Sequence, residues 1–496
     1  MVRNYLKIWA GMAAIFAAGL VAGTMEPSVA SAADITDVLD AADEVYLEDE
    51  LVSDPFDISL KPTFRQHREW AKLKREHRNT KSSGGDNQTH LYNELEYERT
   101  INTFDIDLEI GLFHDLAFRM SMPIVISDQQ FYRFDTSSEA NKITKRGTCR
   151  NEECTEVSGK SYFSPDPTTM EPGDYSFFDL NDGETLNGRK RSGLGDMRFG
   201  LAWSPFNTER SYVPDRPWRD ETGRSTFTLA FDYVAPTGKT RAIDNANVGR
   251  GIHEFIFSVA ASHRFSVVDP YIGLQFGLPV GTSAFKDYGY NQQRKDPGMW
   301  GKIDLGIEFV PYESLRKDYQ RYVKIDLRGY FKYTSEGRNF SELMDAFGQG
   351  NYYVEANEPI PAGYDWLKEK WSNAGSNYAD LVAGRPVALK EDGIFDYEGY
   401  ATIGGALSLT IQPLQYLQIR AGVAADYTQD HFITFTKVGK NRVNPNDPEN
   451  DDGMVDMDSL EERNPTFSKV LDKPGHRIKR TESLHLEWFV GLNLQY

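Results

Sequence analysis

The chain reads as an all-β protein: a closed antiparallel transmembrane β-barrel of about 12 strands, with short periplasmic turns and long extracellular loops. Three observations predict this. The final stretch places Leu484, Leu486, Trp488, Val490, Leu492, Leu494 and Tyr496 on one face. His485, Glu487, Gly491, Asn493 and Gln495 lie on the other, where Phe489 is the one large apolar residue. Period-two alternation of this kind makes a strand with one apolar side. The same alternation recurs along the chain, separated by connections that are mostly short on one side and long on the other. The only long apolar run lies near the start, so any crossing of a bilayer must be made by strands.

That run belongs to an export signal. Arg3 and Lys7 precede apolar residues 8–23, and Ser28-Val29-Ala30-Ser31-Ala32-Ala33 follows. A basic head, an apolar middle and a small-residue cleavage site define a secretory signal peptide over 1–33, cut after Ala32 or Ala33. Residues 34–55 form an acidic N-terminal segment expected in the periplasm, and 56–496 the barrel. Its long loops are expected at 67–90, 128–192, 336–396 and 429–481.

The strands follow in order. Phe56, Ile58, Leu60, Pro62 and Phe64 alternate with charged and polar residues. A basic, polar stretch to His90 reads as a loop. Phe104 to Leu112 and Leu116 to Ile124 form a hairpin around His114-Asp115. Further strands run through Met197–Trp203, Phe227–Tyr233, Phe255–Ala261, Ile272–Val280, Ile303–Phe309, Val323–Leu327, Ala401–Ile411 and Leu417–Ala425, and the terminal stretch completes the set. Each is near the ~9–11 residues that a tilted strand needs to cross hydrocarbon.

Composition agrees. The hydrophobic share is 40% and mean hydropathy −0.55, too polar for a bundle of helices in lipid. A barrel fits, because only alternate residues face lipid. Aromatic residues make up 13%, enough for interfacial girdles, and the net charge of −19 argues against nucleic acid as a partner. Cys149 and Cys154 are expected to form a local disulfide within one outer loop, as an even pair in an oxidising compartment does. No metal site and no cofactor are expected. The acidic run Asn446 to Asp452 lacks the spacing of a calcium loop and reads as a solvated outer loop.

Two stretches carry a family resemblance. Ser192-Gly193-Leu194-Gly195-Asp196-Met197 opens a strand, and Ala235-Pro236-Thr237-Gly238-Lys239 closes the next. With Gly111-Leu112-Phe113-His114-Asp115-Leu116 and a strand ending at Pro123, they resemble outer-membrane barrels grouped with the meta-pathway phenol-degradation proteins. The resemblance covers residues 91–310 and the terminal strand. It implies an outer-membrane barrel that moves small, often apolar or aromatic molecules. The glycines also have a mechanical reading: Gly193 and Gly195 suit positive φ at a strand entry, and Pro236-Thr237-Gly238 is a turn.

The candidate functional residues are the charged ones on the inward face. They are Arg65, Asp105, Asp107, Glu109, Arg119, Arg198, Asp232, Glu254, Lys302, Asp304, Glu308, Lys324, Arg328, Arg420, Asp426 and Glu487. Cross-strand neighbours lie ~5 Å apart, so opposite charges there can pair. Two arrangements follow. A wet lumen uses wall charges to select solutes, whereas a mutually paired lumen makes a closed structural or adhesion body. No G-x-S-x-G or H-E-x-x-H motif is present, so no catalytic residue is assigned and an enzyme is not expected; a hydrolase is the least favoured option. His431 beside Asp430, and His90, read as solvated loop residues. The expected partners are outer-membrane lipid and lipopolysaccharide, a small-molecule solute, and the barrel-assembly machinery, engaged through the C-terminal strand. The expected location is the bacterial outer membrane.

Overall fold

The structure is a computed structural model. It describes residues 58–79, 88–113, 116–134, 179–181, 185–207, 225–242, 245–282, 296–316, 319–343, 345, 352–354, 387–389, 394–414, 416–441, 453–455, 462, 464, 472, 474–475 and 477–495. The signal peptide, the acidic N-terminal segment, both cysteines and the acidic run 446–452 lie outside these residues.

Twelve long strands form the fold: β1 Ile58–Asn79, β2 Gln88–Phe113, β3 Leu116–Phe134, β4 Met197–Asn207, β5 Ser225–Ala235 and β6 Ile252–His263, then β7 Val268–Gly281, β8 Trp300–Arg316, β9 Tyr319–Thr334, β10 Tyr400–Leu414, β11 Leu417–Thr428 and β12 Ile478–Gln495. Each pairs antiparallel with its neighbours in sequence. β12 pairs with β11 on one side and with β1 on the other, from Ser59–Gln495 to Arg75–Ile478, which closes the barrel. Closure leaves no unpaired strand edge, the condition for a sheet in hydrocarbon.

Connections at one end are mostly tight: 114–115, 264–267, 317–318 and 415–416, with 208–224 longer. The other end carries the long loops. By the rule for such barrels, the tight end faces the periplasm.

The apolar half of each strand's alternation points outward. Leu60, Leu201, Phe231, Leu274, Leu305, Leu407 and Leu492 are exposed on the outer surface and form a belt. Exposed Phe206, Phe265, Tyr312 and Tyr416 ring its tight-turn edge, where aromatic side chains suit the lipid–water boundary. On β12, Leu492 is 42% exposed and Asn493 only 1%. The two therefore lie on opposite faces, as the alternation of the terminal stretch requires.

Strands β1, β2 and β3 run 22, 26 and 19 residues, well past the ~9–11 needed for crossing. Their ends beyond Gln66, Asn102 and Ile126 rise above the belt as a collar. In the collar the polarity inverts. Arg68, Lys72, Glu96 and Glu98 now sit on the outer side, and Ala71, Leu73, Leu95 and Tyr97 turn inward and are buried. They pack with Tyr132, Leu343, Tyr397, Ile433 and Ile478 into an apolar cluster under the long-loop end.

This corrects the loop assigned to 67–90. Residues up to Asn79 and from Gln88 are strand, paired from Ile58–Ile110 to Asn79–Gln88. Other loop boundaries also move. β3 continues to Phe134, Asp179–Asn181 pairs with Thr185–Asn187, and Arg191–Leu194 pairs with β3. Within the insert 336–396, Gly337–Phe340 pairs with Ile394–Tyr397. β12 begins at Ile478, inside the loop assigned to 429–481. Past the belt β1 and β2 carry apolar residues on the inner face, β3 turns Asp128, Gln130 and Tyr132 inward, and the short strands are too brief to show a period.

Candidate functional site: a charged interior under a capped mouth

The inward faces below the collar carry ion pairs on neighbouring strands. Lys61 meets Glu109 at 2.9 Å, Arg65 meets Asp105 at 2.6 Å, and Arg198 meets Asp232 at 2.7 Å. Arg65, Asp105, Asp107, Glu109, Arg119, Arg198 and Asp232 come together around a cavity of about 50 Å³. Nearer the mouth lies a second cavity of about 100 Å³, lined in part by Glu254, Lys302, Asp426 and Glu487. Arg65 lies 3.4 Å from Glu487, so this pair marks the level where the two cavities approach one another.

The remaining candidates lie along the wall from β8 to β11. Lys302 meets Asp304 at 3.0 Å, and Lys324 meets Glu308 at 3.1 Å. Arg328 is buried on β9, beside Gly306 and Ala406 of the flanking strands. Arg420 stands on β11 beside Thr410 and Gly491. At the tight-turn end of β1 and β10–β12 the wall is neutral: Ser59 donates to Asn493 Oδ1, Asn493 Nδ2 to Gln418 Oε1, and Gln418 Nε2 to Gln412 Oε1.

Three aromatic side chains repeat a device that alternation alone does not reveal. Tyr271 on β7 lies across Gly306 on β8 and donates to Asp326 Oδ1 on β9, 2.7 Å away. Trp300 on β8 lies across Gly277 on β7, and its Nε1 donates to Glu254 Oε1 on β6 at 2.7 Å. Tyr330 on β9 crosses Gly404 on β10 to reach Asp426 on β11. In each case the middle strand offers a glycine because a side chain would collide. A Cβ on Gly277 would stand 2.1 Å from a Trp300 ring carbon. The strapped rings lie flat on the wall, hold carboxylates in place and narrow the lumen. The signal in the sequence is an inward glycine flanked, one strand to each side, by an inward aromatic and an inward acid.

Loop residues pack into the mouth. From the β9–β10 connection, Ser341, Glu342, Leu343 and Asp345 are all buried. Glu342 pairs with Arg480, which also pairs with Glu69, and Tyr397 donates to Glu342. Arg191 grips Asp345 with both Nη groups, at 2.7 and 2.6 Å. From the β5–β6 connection, Arg241 reaches Asp128, which also takes two hydrogen bonds from Arg99 at 2.8 Å. Val248 of the same loop packs on Ile101 and Val125.

These ion pairs shift the carboxyls. Burial alone would push Asp128 up, but Arg99 and Arg241 outweigh it and hold the group well below the usual carboxylate range. Burial likewise raises Glu342, and Arg480 more than cancels it. His431 corrects the expectation of a solvated loop residue. It is buried, stacks on Tyr400 at 4.2 Å between ring centroids, and donates from Nδ1 to the Gln429 carbonyl at 2.8 Å. Burial first, then the Arg480 charge, pushes its imidazole down to about 4.

The stretches that carry the family resemblance form the clasp of the β5–β6 loop. Asp196 accepts the backbone N–H of Gly238 at 3.0 Å and of Arg250 at 2.8 Å, and the Gly195 N–H donates to the Pro123 carbonyl. Gly193 has φ +143°, a conformation that favours glycine. The mechanical reading holds for Gly193, but Gly195 does not take a positive φ; it is a glycine because a Cβ there would stand 3.0 Å from Pro123 Cγ.

Residues 157–282 match the model of the family described as "Putative MetA-pathway of phenol degradation". The match lies within the stretch of the resemblance and includes the clasp residues from Gly193 to Arg250, though not Pro123. Among solved structures, an outer membrane channel of Pseudomonas putida F1 is similar, with 7% identity, TM-score 0.31, and coverage of 88% of this chain and 95% of that one. A FadL homologue of Pseudomonas aeruginosa is similar at 6% identity and TM-score 0.27, covering 89% and 90%. The outer membrane protease OmpT of Escherichia coli is similar at 7% identity and TM-score 0.27, covering 90% and 99%. At these scores the likenesses add nothing to what the sheet topology of the chain itself shows. No curated protein matches the chain.

Proposed function

We propose that this protein is a gated, non-enzymatic transporter of small solutes in the bacterial outer membrane, exported by a cleaved signal peptide. In this reading lipid and lipopolysaccharide surround the belt, and the last strand is recognised by the barrel-assembly machinery. One observation carries the proposal: residues 341–343 and 345 of a loop lie buried in the mouth, held by ion pairs, and in this reading they, and not the long strands, shut it. A purely structural barrel fills its interior with wall side chains and needs no detachable cap. The two cavities below the cap lie on the path that such a solute would follow, and their wall charges would set its preference. The family match over 157–282 is consistent with a transport role.

The charge pairing inside the barrel favours the competing closed body, so the test must separate the two. We expect the full chain to show little conductance in planar bilayers, and deletion of residues 341–345 to raise it at least tenfold. A deletion variant that keeps heat-modifiable mobility, the mark of a closed barrel, yet stays electrically silent would overturn the transporter reading.

A further inference from the structure

We propose that the guanidinium groups of Arg99, Arg191 and Arg241 form a recognition seat for a small carboxylate solute, which Asp345 of the capping segment fills in the shut state. The proposal rests on the gated reading, and it names the solute class and the trigger.

The seat lies on the β3 side of the mouth. Arg99 belongs to β2, Arg191 to the short strand paired with β3, and Arg241 to the inward β5–β6 loop. All three are buried. Asp128 is the fixed acid among them. The second acid, Asp345, comes from the cap. It is held as a free carboxylate would be held, by a two-pronged guanidinium contact at 2.6 and 2.7 Å and by the Arg189 backbone N–H at 3.1 Å. A planar fork of donors matches the two oxygens of a carboxylate.

The cluster has recognition capacity left over. The Nε of Arg191 and the Nε of Arg241 are buried and have no hydrogen-bond partner among the described residues. With Asp345 withdrawn, three positive charges would face one negative charge in a dry pocket, a strong demand for an anion. The side chain of Arg241 already registers the crowding. Burial lowers its pKa most, Asp128 pulls it back, and Arg99 and Arg191 push it down again.

The seat is also tight. A Cβ on Gly188 would stand 2.8 Å from Asp345 Oδ2, so the wall there admits a thin planar group. A carboxylate solute entering from outside would compete with Asp345 for Arg191. Success would free the cap on that side, coupling recognition to opening. Because Asp345 is tethered, its effective concentration is high and the wild-type seat should bind free carboxylate weakly.

The test uses the folded full chain in detergent micelles, titrated calorimetrically with propionate at constant ionic strength. Propionamide serves as the uncharged isostere and chloride as the plain anion. We expect Asp345→Asn to bind propionate at least tenfold more tightly than the wild type, with propionamide inert in both. Adding Arg191→Gln to Asp345→Asn should remove the binding. A second measurement needs no variant: amide exchange in 341–345 should quicken with propionate and not with propionamide or chloride. Equal binding by wild type and Asp345→Asn, or an equal effect of propionamide or chloride, would overturn the seat. A barrel that conducts after loss of 341–345 yet ignores propionate keeps the gate and loses the seat. Propionate binding in a barrel that never conducts keeps the seat and loses the gate.

Discussion

The belt and the collar are built from the same strands and obey opposite rules. On β1 the inward side chains begin as Lys61, Arg65 and Glu69 and become Ala71 and Leu73. The outward ones begin as Leu60 and Phe64 and become Arg68, Lys72 and Lys74. The backbone does not turn over between them, since β1 and β2 stay in register from Ile58–Ile110 to Leu73–Leu95. What changes is the solvent outside. Hydrocarbon selects apolar side chains outward and leaves charges to pair within. Water above the belt reverses the demand, and the collar buries its apolar residues as a soluble barrel does. The comparison teaches that, in this molecule, the face on which the hydrophobic residues lie reports the level of the membrane.

The sharpest way to break that comparison is to put one kind of residue at both levels. Leu73→Glu places a carboxylate in the apolar cluster with Leu95, Tyr97 and Tyr132. An unpaired charge there should destabilise the collar by on the order of 5 kcal/mol. Lys72→Leu, one residue away and outward, should change little. Trypsin digestion of intact cells or proteoliposomes should cut the Leu73→Glu collar and spare Lys72→Leu, with the membrane-embedded fragment protected in both. Equal protection in the two variants would show that the collar has no inner apolar face.

The same inversion explains what the sequence could and could not reveal. Alternation located the strands of the belt, including both faces of β12, because apolar residues repeat there at three or more alternate positions. In residues 67–79 the alternation persists but changes phase: Phe64 and Ala71 lie on opposite faces. A search for apolar residues continuing one face therefore finds a polar loop. Charged inward positions such as Arg65 and Glu109 were readable from parity. Their partners depended on register, which parity does not set. The straps at Tyr271, Trp300 and Tyr330 join strands two apart, and the capping residues Glu342 and Asp345 lie in a long insert with no period. His431 was misjudged because its flanking Asp430 is polar, while its burial comes from Tyr400 and Arg480, both remote in sequence or across a strand pair.

A smaller effect is expected where the belt itself is charged. Leu492→Arg faces hydrocarbon toward the tight-turn end of β12 and should cost at most the ~2–4 kcal/mol expected at the bilayer midplane. Because Leu492 is exposed while its neighbour Asn493 hydrogen-bonds inside the barrel, an uncharged polar change, Leu492→Ser, should cost less than Leu492→Arg. Urea titration of the barrel in lipid vesicles gives both values. If Leu492→Arg were as stable as wild type, the belt would not be in contact with lipid at this point.

The smallest effect sharpens the comparison through pH. His431 belongs to the cap above the belt, and its imidazole is held down to about 4 by burial and the neighbouring Arg480 charge. An unfolded or opened cap returns the group to ~6.5. The open form therefore takes up a proton first as pH falls, and the closed form does not. By linkage, stability of the cap is complete above the open-state value, declines as pH drops through ~6.5, and levels off below about 4. Between pH 7 and 5 the loss should be about 2 kcal/mol. The depressed carboxyls Asp128 and Glu342 act in the same direction, chiefly in and below the ordinary carboxylate range, and the comparison with His431→Gln assigns the effect between pH 7 and 5 to this histidine. Amide exchange, corrected for its intrinsic pH dependence, should quicken in 429–433 and 341–345 on acidification and stay constant in the belt strands. His431→Gln keeps a side chain that can donate to the Gln429 carbonyl and has no proton to gain, so its cap should show no such change between pH 7 and 5. A belt that loosens equally, or a His431→Gln cap that remains as acid-sensitive as wild type, would show that the two regions do not differ in the way their side chains indicate.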